Sequence, residues 1–349
     1  MPVELRNLAD LPATPHDTLI DVRAPSEFEE DHLPGAINLP VLSDAERARV
    51  GTIYTQESAF TARKVGAALV ARNAARHLEG PLEGKSGAWR PLVYCWRGGQ
   101  RSGSFATILG QVGWRVQVIE GGYRSYRRLV VRALYDDPWP TRIVLLDGYT
   151  GTAKTEILQR VAALGCQVID LEGLARHRGS VFGAMDAQQP SQKTFESQIA
   201  SALAGFNPAR PVLIEAESSK VGNLVLPQGL WKAMRTAPRL RIDAPLNARA
   251  AFLARAYTDL TTDPTRLFSE LQALKPYHGT EQVAVWQGMA GQRAWEALAR
   301  ALMEAHYDPR YRKSRLRAEG QTVEQVTSDT LDDAALDRLA REVAARIAA

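Results

Sequence analysis

Short apolar runs alternate with amphipathic stretches through the first two thirds of the chain. The runs are typical of buried strands, and the stretches carry apolar residues every three or four positions, which is typical of helices. This alternation predicts an α/β fold. The runs are Leu19–Val22, Pro91–Val93, Val116–Ile119, Ile143–Asp147, Cys166–Asp170, Pro211–Glu215 and Leu240–Asp243.

The predicted helices become longer and more frequent toward the C-terminus. Gly51–Ser58 is expected to be a loop, and Tyr307–Lys313 is expected to interrupt two helices. Glu196 and Ser197 are expected on a solvated helix face. The predicted helices are Thr61–Ala71, Ser104–Gln111, Tyr123–Arg132, Glu156–Ala163, Pro190–Leu203, Leu246–Thr258, Asp263–Leu274, Thr280–His306 and Asp329–Ala348.

A lone cysteine, Cys95, lies between a strand and a helix, in a loop that also contains Arg97, Gly98, Gly99 and Arg101. The glycines let successive N–H groups point inward, and the helix N-terminus and the arginines add positive charge. This setting favours a thiolate and a bound tetrahedral anion, over a merely buried cysteine at a turn. The loop fits either transfer of sulfur or selenium, or phosphate ester hydrolysis, because Cys95, Arg101 and Ser102 also have the spacing of a cysteine-phosphatase loop.

A second loop follows the strand that ends before Gly148, and a helix follows it in turn. Gly148, Gly151, Lys154 and Thr155 fit a phosphate-binding P-loop, in which backbone N–H groups and a lysine hold a di- or triphosphate. Ala153 departs from the pattern, which has glycine there, and alanine is expected to tolerate a helix-start conformation. The sequence predicts phosphate binding more strongly than nucleotide hydrolysis.

Glu215 and Glu217 follow the end of another strand and are candidate magnesium ligands. In P-loop folds such a carboxylate often faces the phosphate loop. The alternative is a capped strand end, so no metal site is certain.

Two basic groups are candidate contacts for a nucleic-acid phosphate backbone or another anion. The alternative for both is a solvated or polar surface. The first is in a helix and the second is in a glycine-flanked loop expected to be exposed; they are Arg124, Arg127 and Arg128, and Arg176, His177 and Arg178.

The composition narrows the function classes. The 349-residue chain has a net charge of +4 and a pI near 9.1, which allows a nucleic-acid partner without requiring one. Two cysteines, Cys95 and Cys166, are too few for a disulfide framework. No apolar run is long enough to span a bilayer, and the N-terminus lacks the pattern of a signal peptide. A cytoplasmic location without membrane partners is therefore expected.

The first part of the chain resembles a rhodanese domain. The resemblance rests on Asp21–Arg23, Glu27–Phe28, His32–Pro40 and the cysteine loop, in that order. It implies a parallel sheet flanked by helices, with the cysteine loop at the carboxyl ends of the strands. Asp21 and Arg23 either order a neighbouring loop or form a surface ion pair of little consequence.

The whole chain resembles the bacterial tRNA 2-selenouridine synthases. Three regions are predicted: a rhodanese-like domain over residues 1–136, a P-loop NTPase-like α/β domain over 141–245 and a helical C-terminal region over 246–349. The resemblance is carried by Gly51–Ser58, Tyr94–Ser102, Asp170–Gly183, Gln189–Ser197 and Ile214–Gly222.

The resemblance implies an enzyme that acts on a wobble 2-thiouridine in the anticodon region of tRNA. It would attach a geranyl group from geranyl diphosphate to the sulfur, then replace that sulfur with selenium from selenophosphate. Cys95 would carry selenium, while Gly98, Gly99 and Arg101 would bind the donor phosphate. Lys154 and Thr155 would bind the prenyl diphosphate, with Mg²⁺ near Glu215 or Glu217, and no tightly bound cofactor is expected. A cysteine phosphatase and a non-catalytic RNA-binding adaptor are the alternatives.

Overall fold

The computed structural model describes residues 2–180, 182–315 and 323–348. The strands are β1 Pro2–Val3, β2 Thr18–Asp21, β3 Ile37–Asn38, β4 Pro91–Tyr94, β5 Gln117–Ile119, β6 Ile143–Gly148, β7 Gln167–Ile169, β8 Val212–Glu215, β9 Lys220–Val221, β10 Leu224–Val225, β11 Arg239–Asp243 and β12 Val323–Thr327.

Helices follow most of these strands. The α-helices are α1 Asp10–Ala13, α2 Pro25–Glu30, α3 Asp44–Gln56, α4 Ala59–Glu79, α5 Gln100–Val112, α6 Gly122–Val131, α7 Lys154–Ala163, α8 Leu171–Ala175, α9 Gln192–Ala204, α10 Gln228–Thr236, α11 Leu246–Ala256, α12 Thr258–Thr261, α13 Pro264–Ala273, α14 Lys275–Gly291, α15 Trp295–Leu302, α16 Asp308–Arg315 and α17 Asp333–Ala348. Two π-helical turns, Arg132–Asp136 and Met303–Tyr307, extend α6 and α15.

Internal contacts divide the chain into two units. Unit 1 comprises Met1–Pro138 and Pro190–Gly205, and unit 2 comprises Trp139–Gln189 and Phe206–Ala349. Helix α9 therefore groups with the first unit, although it lies within the region predicted as the P-loop domain. The helices after residue 246 group with the P-loop strands.

Unit 1 contains a five-stranded sheet in the order β1-β5-β4-β2-β3, and every pair in it is parallel. Strand β4 is central and its four residues are all buried, as expected for a strand covered by helices on both faces. The predicted strands of this unit and its parallel sheet are confirmed. The core includes Ile20, Val93, Phe105 and Leu109.

The prediction of a loop over Gly51–Ser58 is wrong. Helix α3 begins at a capping box, in which the Ser43 hydroxyl accepts from the Glu46 N–H and the Glu46 side chain accepts from the Ser43 N–H. This cap lies well before the polar stretch and starts a helix that continues through it. Ser58 then caps α4, so two helices pack where one helix and a loop were expected.

Unit 2 contains a second five-stranded parallel sheet, in the order β12-β11-β6-β8-β7. Its predicted strands are confirmed, but β12 was missed. All five residues of β12 pair with β11, yet only Val326 is buried. An edge strand with one buried side chain has no apolar run that a sequence pattern could reveal.

The helical region differs from its prediction in two places. The helix expected over Thr280–His306 is broken between α14 and α15, where Arg293 has a φ of +56°. The expected break after Tyr307 is instead helical, because α16 continues to Arg315; the side chain of Lys313 lies outside the described residues. Trp286 is fully buried at the centre of this region. Within the described ranges, no helix is long and apolar enough to cross a membrane.

Unit 2 contains a buried histidine with a lowered pKa. His306 is 1% exposed. The Arg310 guanidinium donates to its Nε2 atom at 2.8 Å, so the proton of neutral His306 lies on Nδ1. Nδ1 in turn donates to Nε2 of His278 at 2.8 Å. Burial, Arg310 and His278 together lower the pKa of His306 to about 4.

The free energy of unfolding should therefore fall as the pH drops from about 6.5 toward 4, because the unfolded chain binds a proton there that folded His306 does not. The urea concentration at the midpoint of unfolding, measured by circular dichroism, should fall between pH 7.5 and pH 5. We expect this fall to be smaller in His306→Gln than in the wild type. His16→Gln, in unit 1, is the matched control. An unchanged pH dependence in His306→Gln would contradict this account.

Candidate active site

The cysteine loop joins the end of β4 to the start of α5, as predicted. Gly98 has a φ of +66°, and a Cβ there would lie 2.8 Å from the carbonyl oxygen of Ile119. A Cβ at Gly122 would lie 2.2 Å from the carbonyl oxygen of Cys95, which accepts a hydrogen bond from the Tyr123 N–H at 2.8 Å. The loop therefore packs backbone against backbone on the turn before α6, and neither glycine has room for a side chain.

The sulfur of Cys95 is buried among hydrogen-bond donors. The residue is 3% exposed, and the Ser102 hydroxyl donates to its Sγ at 3.2 Å. Burial alone would raise the pKa of the Cys95 thiol. The Ser102 hydroxyl, the N–H groups of Ser102 and Arg97, and the charge of Arg101 outweigh burial, so the pKa lies below its usual value. The loop thus favours the nucleophilic thiolate.

Arg101 is held in place by an acid from α2. Its Nη1 lies 2.7 Å from Oε2 of Glu27, which also pairs with Arg47 at 2.8 Å. Burial would raise the pKa of Glu27, but the two arginines lower it below its usual value. Arg97 is exposed and Gly99 caps α5, so a ligand phosphate could reach both from solvent.

The Asp21–Arg23 pair lies in the interior of unit 1, so the alternative of a surface ion pair is wrong. The side chains are 0% and 1% exposed and are joined at 2.6 Å. The Arg23 guanidinium lies 4.1 Å from the centre of the Tyr123 ring, next to the turn that supports the cysteine loop. A buried pair of this kind orders its neighbours, because removing either partner leaves an uncompensated charge.

Helix α9 contacts the region around Tyr123 through the buried side chain of Asp31, which follows α2. The carboxylate of Asp31 accepts from the hydroxyls of Tyr123 and Ser197, each at 2.8 Å. Burial raises the pKa of Asp31 above its ordinary value. Glu196 pairs with Arg127 and accepts from the Tyr135 hydroxyl. The prediction of a solvated face is therefore wrong for Glu196 and Ser197, which are buried and paired; Lys193 on the same face stays partly exposed and pairs with Glu30.

The second loop has the predicted order of strand, loop and helix, but not the predicted conformation at Ala153. Ala153 has a φ of +58° and a ψ of +28°, which is left-handed rather than helical. Lys154 begins α7, and its Nζ donates to the Gly148 carbonyl at 3.1 Å. Burial would lower the pKa of Lys154, but Tyr311, Glu172 and Glu217 outweigh it and raise the pKa. The lysine is therefore held as a cation.

Three carboxylates surround the start of α7. The Thr155 hydroxyl donates to Oε2 of Glu172 at 2.9 Å, and the N–H of Glu172 donates to Oε1 of Glu215 at 2.7 Å. Burial, more than the repulsion of neighbouring acids, raises the pKa of Glu215 well above its usual range. Burial and Glu172 likewise raise the pKa of Glu217, although Lys154 opposes the shift.

These oxygens suit Mg²⁺ only together with a ligand phosphate. Among the described residues there is no group of three or more histidines, cysteines or acids placed to hold a metal by themselves. Mg²⁺ commonly takes one or two protein ligands and completes its shell with phosphate oxygens and water. Thr155 and Glu172 are in contact at the loop, and the Oε2 atom of Glu215 is buried without a partner among the described atoms.

The basic candidates on α6 differ in their surroundings. Arg124 and Arg128 are exposed, and the N–H of Arg124 donates to the Trp96 carbonyl. Arg127 is only partly exposed because it pairs with Glu196. Two of the three guanidinium groups are therefore open to solvent.

Of the three candidates after α8, His177 and Arg178 lie beside the P-loop. Arg176 is exposed and has a φ of +50°. His177 was expected to be exposed but is half-buried, and burial lowers its pKa. Arg178 pairs with Asp259 through two contacts of 3.0 Å and stacks on the Tyr257 ring at 4.5 Å.

A cavity of about 230 Å³ lies over the P-loop, and its lining includes Lys154, Thr155, Glu172, His177, Arg178 and Tyr311. The sequence prediction missed two contributors to the P-loop site. Tyr257 and Tyr311 lie outside every motif and reach the cavity only through the fold, so no local sequence signal indicates them. Ser102 belongs to the predicted cysteine loop, but its donation to the sulfur of Cys95 was not predicted.

The two sites define a class of protein in which a rhodanese-like domain is joined to a P-loop domain. Residues 2–129 match the model of the rhodanese-like domain family. Residues 141–284 match the model described as the tRNA 2-selenouridine synthase AAA domain.

Curated relatives extend the match over most of the chain, and each one below is named tRNA 2-selenouridine synthase. The protein of Nitrosomonas europaea is 36% identical over 75% of this chain and 69% of its own length. That of Chromohalobacter salexigens is 36% identical over 74% and 70%. That of Shewanella denitrificans is 34% identical over 81% and 79%. The chain belongs to the tRNA 2-selenouridine synthase family.

The contact between Ser102 and Cys95 gives a testable prediction. Ser102→Ala removes the hydroxyl donor that lowers the pKa of the thiol, so alkylation of Cys95 by iodoacetamide near neutral pH should slow by roughly fivefold. The rate is read as the mass gain of the Cys95 peptide across a pH series, whose midpoint should move upward. Ser104→Ala on the same helix is the control and should leave the profile unchanged. Equal profiles for the two variants would show that the hydroxyl does not act on the sulfur.

Proposed function

We propose that this protein converts 2-thiouridine in tRNA to 2-selenouridine in two steps. In the first, the sulfur is geranylated with geranyl diphosphate; in the second, the geranylated sulfur is replaced with selenium from selenophosphate. The observation that carries the proposal is that one chain of this family contains a buried cysteine of lowered pKa and, in its other unit, a strand–loop–helix whose Lys154 and Thr155 line a cavity.

The first step belongs to the P-loop. The sulfur at carbon 2 of the uridine attacks the first carbon of the geranyl chain, a C–S bond forms, and diphosphate leaves with the electrons of the broken C–O bond. Lys154 is held as a cation over Gly148 and would stabilise the charge that develops on diphosphate. Thr155 and Glu172 are the groups that would hold Mg²⁺ with the diphosphate; the ion would add further positive charge there.

The second step belongs to Cys95. Its thiolate attacks the selenium of selenophosphate, an S–Se bond forms, and the Se–P bond breaks with its electrons on phosphorus, which leaves as phosphite. The selenium then attacks carbon 2 and expels geranyl thiolate. A thiol reductant next cleaves the S–Se bond at the cysteine sulfur, leaving selenium on the uridine, and a second thiol restores Cys95. Arg97, Gly98, Gly99 and Arg101 would bind the phosphate end of the donor.

S-alkylation explains why two steps are needed. A thiocarbonyl sulfur is a poor leaving group, whereas an alkylated sulfur leaves as a thiolate. Selenophosphate is already activated, so the scheme consumes no nucleotide. The exposed Arg124, Arg128 and Arg176 side chains are proposed contacts for the tRNA backbone, which Arg side chains bind through phosphate oxygens.

Loss of the cysteine should separate the two steps. With 2-thiouridine-containing tRNA, geranyl diphosphate, selenophosphate and a thiol, Cys95→Ser should accumulate S-geranyl-2-thiouridine and form no detectable 2-selenouridine by nucleoside mass spectrometry. Cys166→Ser, at the other cysteine, is the control and should form both products. Selenium incorporation by Cys95→Ser at the wild-type rate would contradict the proposed role of Cys95.

Loss of the lysine should stop the first step. Lys154→Ala removes the cation facing diphosphate, so geranylation should fall by about 100-fold or more. Chemically prepared S-geranyl tRNA should still be converted to selenouridine by this variant. Lys232→Ala, at an exposed lysine of α10, is the control and should keep both activities. A similar loss in both half-reactions would show that Lys154 acts elsewhere, for example on tRNA phosphate.

The phosphatase alternative is tested in the same preparation. The Cys95 loop would also fit hydrolysis of an aryl phosphate. Turnover of p-nitrophenyl phosphate without any change in tRNA mass would favour the phosphatase hypothesis. If the protein binds tRNA but changes neither the tRNA nor p-nitrophenyl phosphate, the hypothesis of a non-catalytic RNA-binding adaptor is favoured.

A further inference from the structure

An apolar cleft adjoins the P-loop cavity within unit 2. Its volume is about 80 Å³, several times the roughly 10–15 Å³ that one water molecule needs on the same measure. The cleft therefore has room for roughly five to eight water-sized groups. Its walls come from α12, α13, α15 and the π-helical turn after α15, and they are almost entirely apolar; they include Phe182, Leu267, Trp295, Leu298, Leu302 and Met303.

The two spaces share a wall. Thr150, Leu253 and Tyr257 line both the cleft and the P-loop cavity. Leu253 lies directly against the loop, since a Cβ at Gly151 would be 3.0 Å from its Cγ and Cδ1 atoms. The apolar surface therefore begins at the phosphate-binding backbone itself. A ligand that fills both spaces needs an anionic head and an apolar tail joined directly to it.

We propose that this cleft binds the isoprenoid chain of a diphosphate whose head lies on the P-loop, and that it sets the accepted chain length. The inference rests on the proposed function, because that function supplies the prenyl diphosphate. A nucleotide base fits the cleft poorly, since its polar edges would be buried against Leu298, Leu302 and their neighbours without partners. An isoprenoid chain has no such groups and gains from leaving water.

The size of the cleft indicates which chain fits. A methylene group is close to water in size, so the cleft encloses about one five-carbon unit and a little more. A second unit would lie along Leu253 and Thr150, between the cleft and the diphosphate. We therefore expect a ten-carbon chain to be held along most of its length and a fifteen-carbon chain to extend beyond the cleft. Each buried methylene strengthens binding by about fourfold.

Binding to the full-length protein tests this assignment. Isothermal titration with inorganic pyrophosphate, dimethylallyl diphosphate, geranyl diphosphate and farnesyl diphosphate should give affinities that rise by at least tenfold from pyrophosphate to geranyl diphosphate and then stop rising. Ala299→Phe places a ring in the cleft and should weaken geranyl diphosphate at least tenfold while leaving pyrophosphate unchanged. Ala297→Phe, on the exposed face of the same helix, is the matched control and should change neither affinity.

A variant that is expected to gain affinity distinguishes an effect on the cleft from misfolding. Leu267→Ala enlarges the cleft and should raise the affinity for farnesyl diphosphate relative to geranyl diphosphate, a result that a damaged fold cannot produce. If wild-type affinity for geranyl diphosphate equals that for pyrophosphate, the cleft does not bind the chain and the inference is wrong, although phosphate binding by the P-loop stands. It is also wrong if Ala299→Phe weakens ADP as much as it weakens geranyl diphosphate.

The experiments distinguish failure of the proposed transfer reaction from failure of the cleft assignment. Tight binding of geranyl diphosphate that depends on Ala299, without geranylation of tRNA, would sustain the cleft assignment and overturn the transfer reaction. Failure of all four diphosphates to bind would overturn both.

Discussion

Helices that follow central parallel strands place the N–H groups of a loop and a first helical turn at both sites. Helix α5 follows β4 and helix α7 follows β6, and each strand is buried along its length. The first N–H groups of a helix have no partner inside it and carry partial positive charge. Because parallel strands all end at one edge of a sheet, these donors meet the other loops of the same unit. Both sites therefore have a backbone arrangement that favours an anion before any side chain contributes.

The side chains then adapt this shared geometry to different chemistry. In unit 1 the donors surround a sulfur, and the hydroxyl of Ser102 and the charge of Arg101 overcome the cost of burying a thiolate. In unit 2 the donors belong to the loop before α7, and the charge is supplied by Lys154, whose neighbours include Glu172 and Glu217. The first arrangement suits a covalent carrier, and the second suits a leaving diphosphate.

The sequence predicted what depends on local order and missed what depends on distant contacts. The cysteine loop and the P-loop were found because strand, glycines, charged residue and helix are contiguous in each. Edge strand β12 was missed because only Val326 in it is buried, and α3 was missed because its Ser43 cap lies before the polar stretch. Glu196 is paired with Arg127 of α6 and Ser197 donates to Asp31, both more than sixty residues earlier, which no pattern in α9 could indicate.

Ala153 shows how a departure from a motif can leave the function of a loop intact. Its left-handed conformation costs about 1–2 kcal/mol relative to glycine. The residue is 5% exposed and belongs to the core of unit 2, so burial of its methyl group offsets about 0.8 kcal/mol of that cost. The remainder is small, and the loop keeps Lys154 and Thr155 at the start of α7. Packing of the alanine methyl group therefore offsets much of the backbone strain at this position. The departure from glycine is not evidence that the loop has lost phosphate binding.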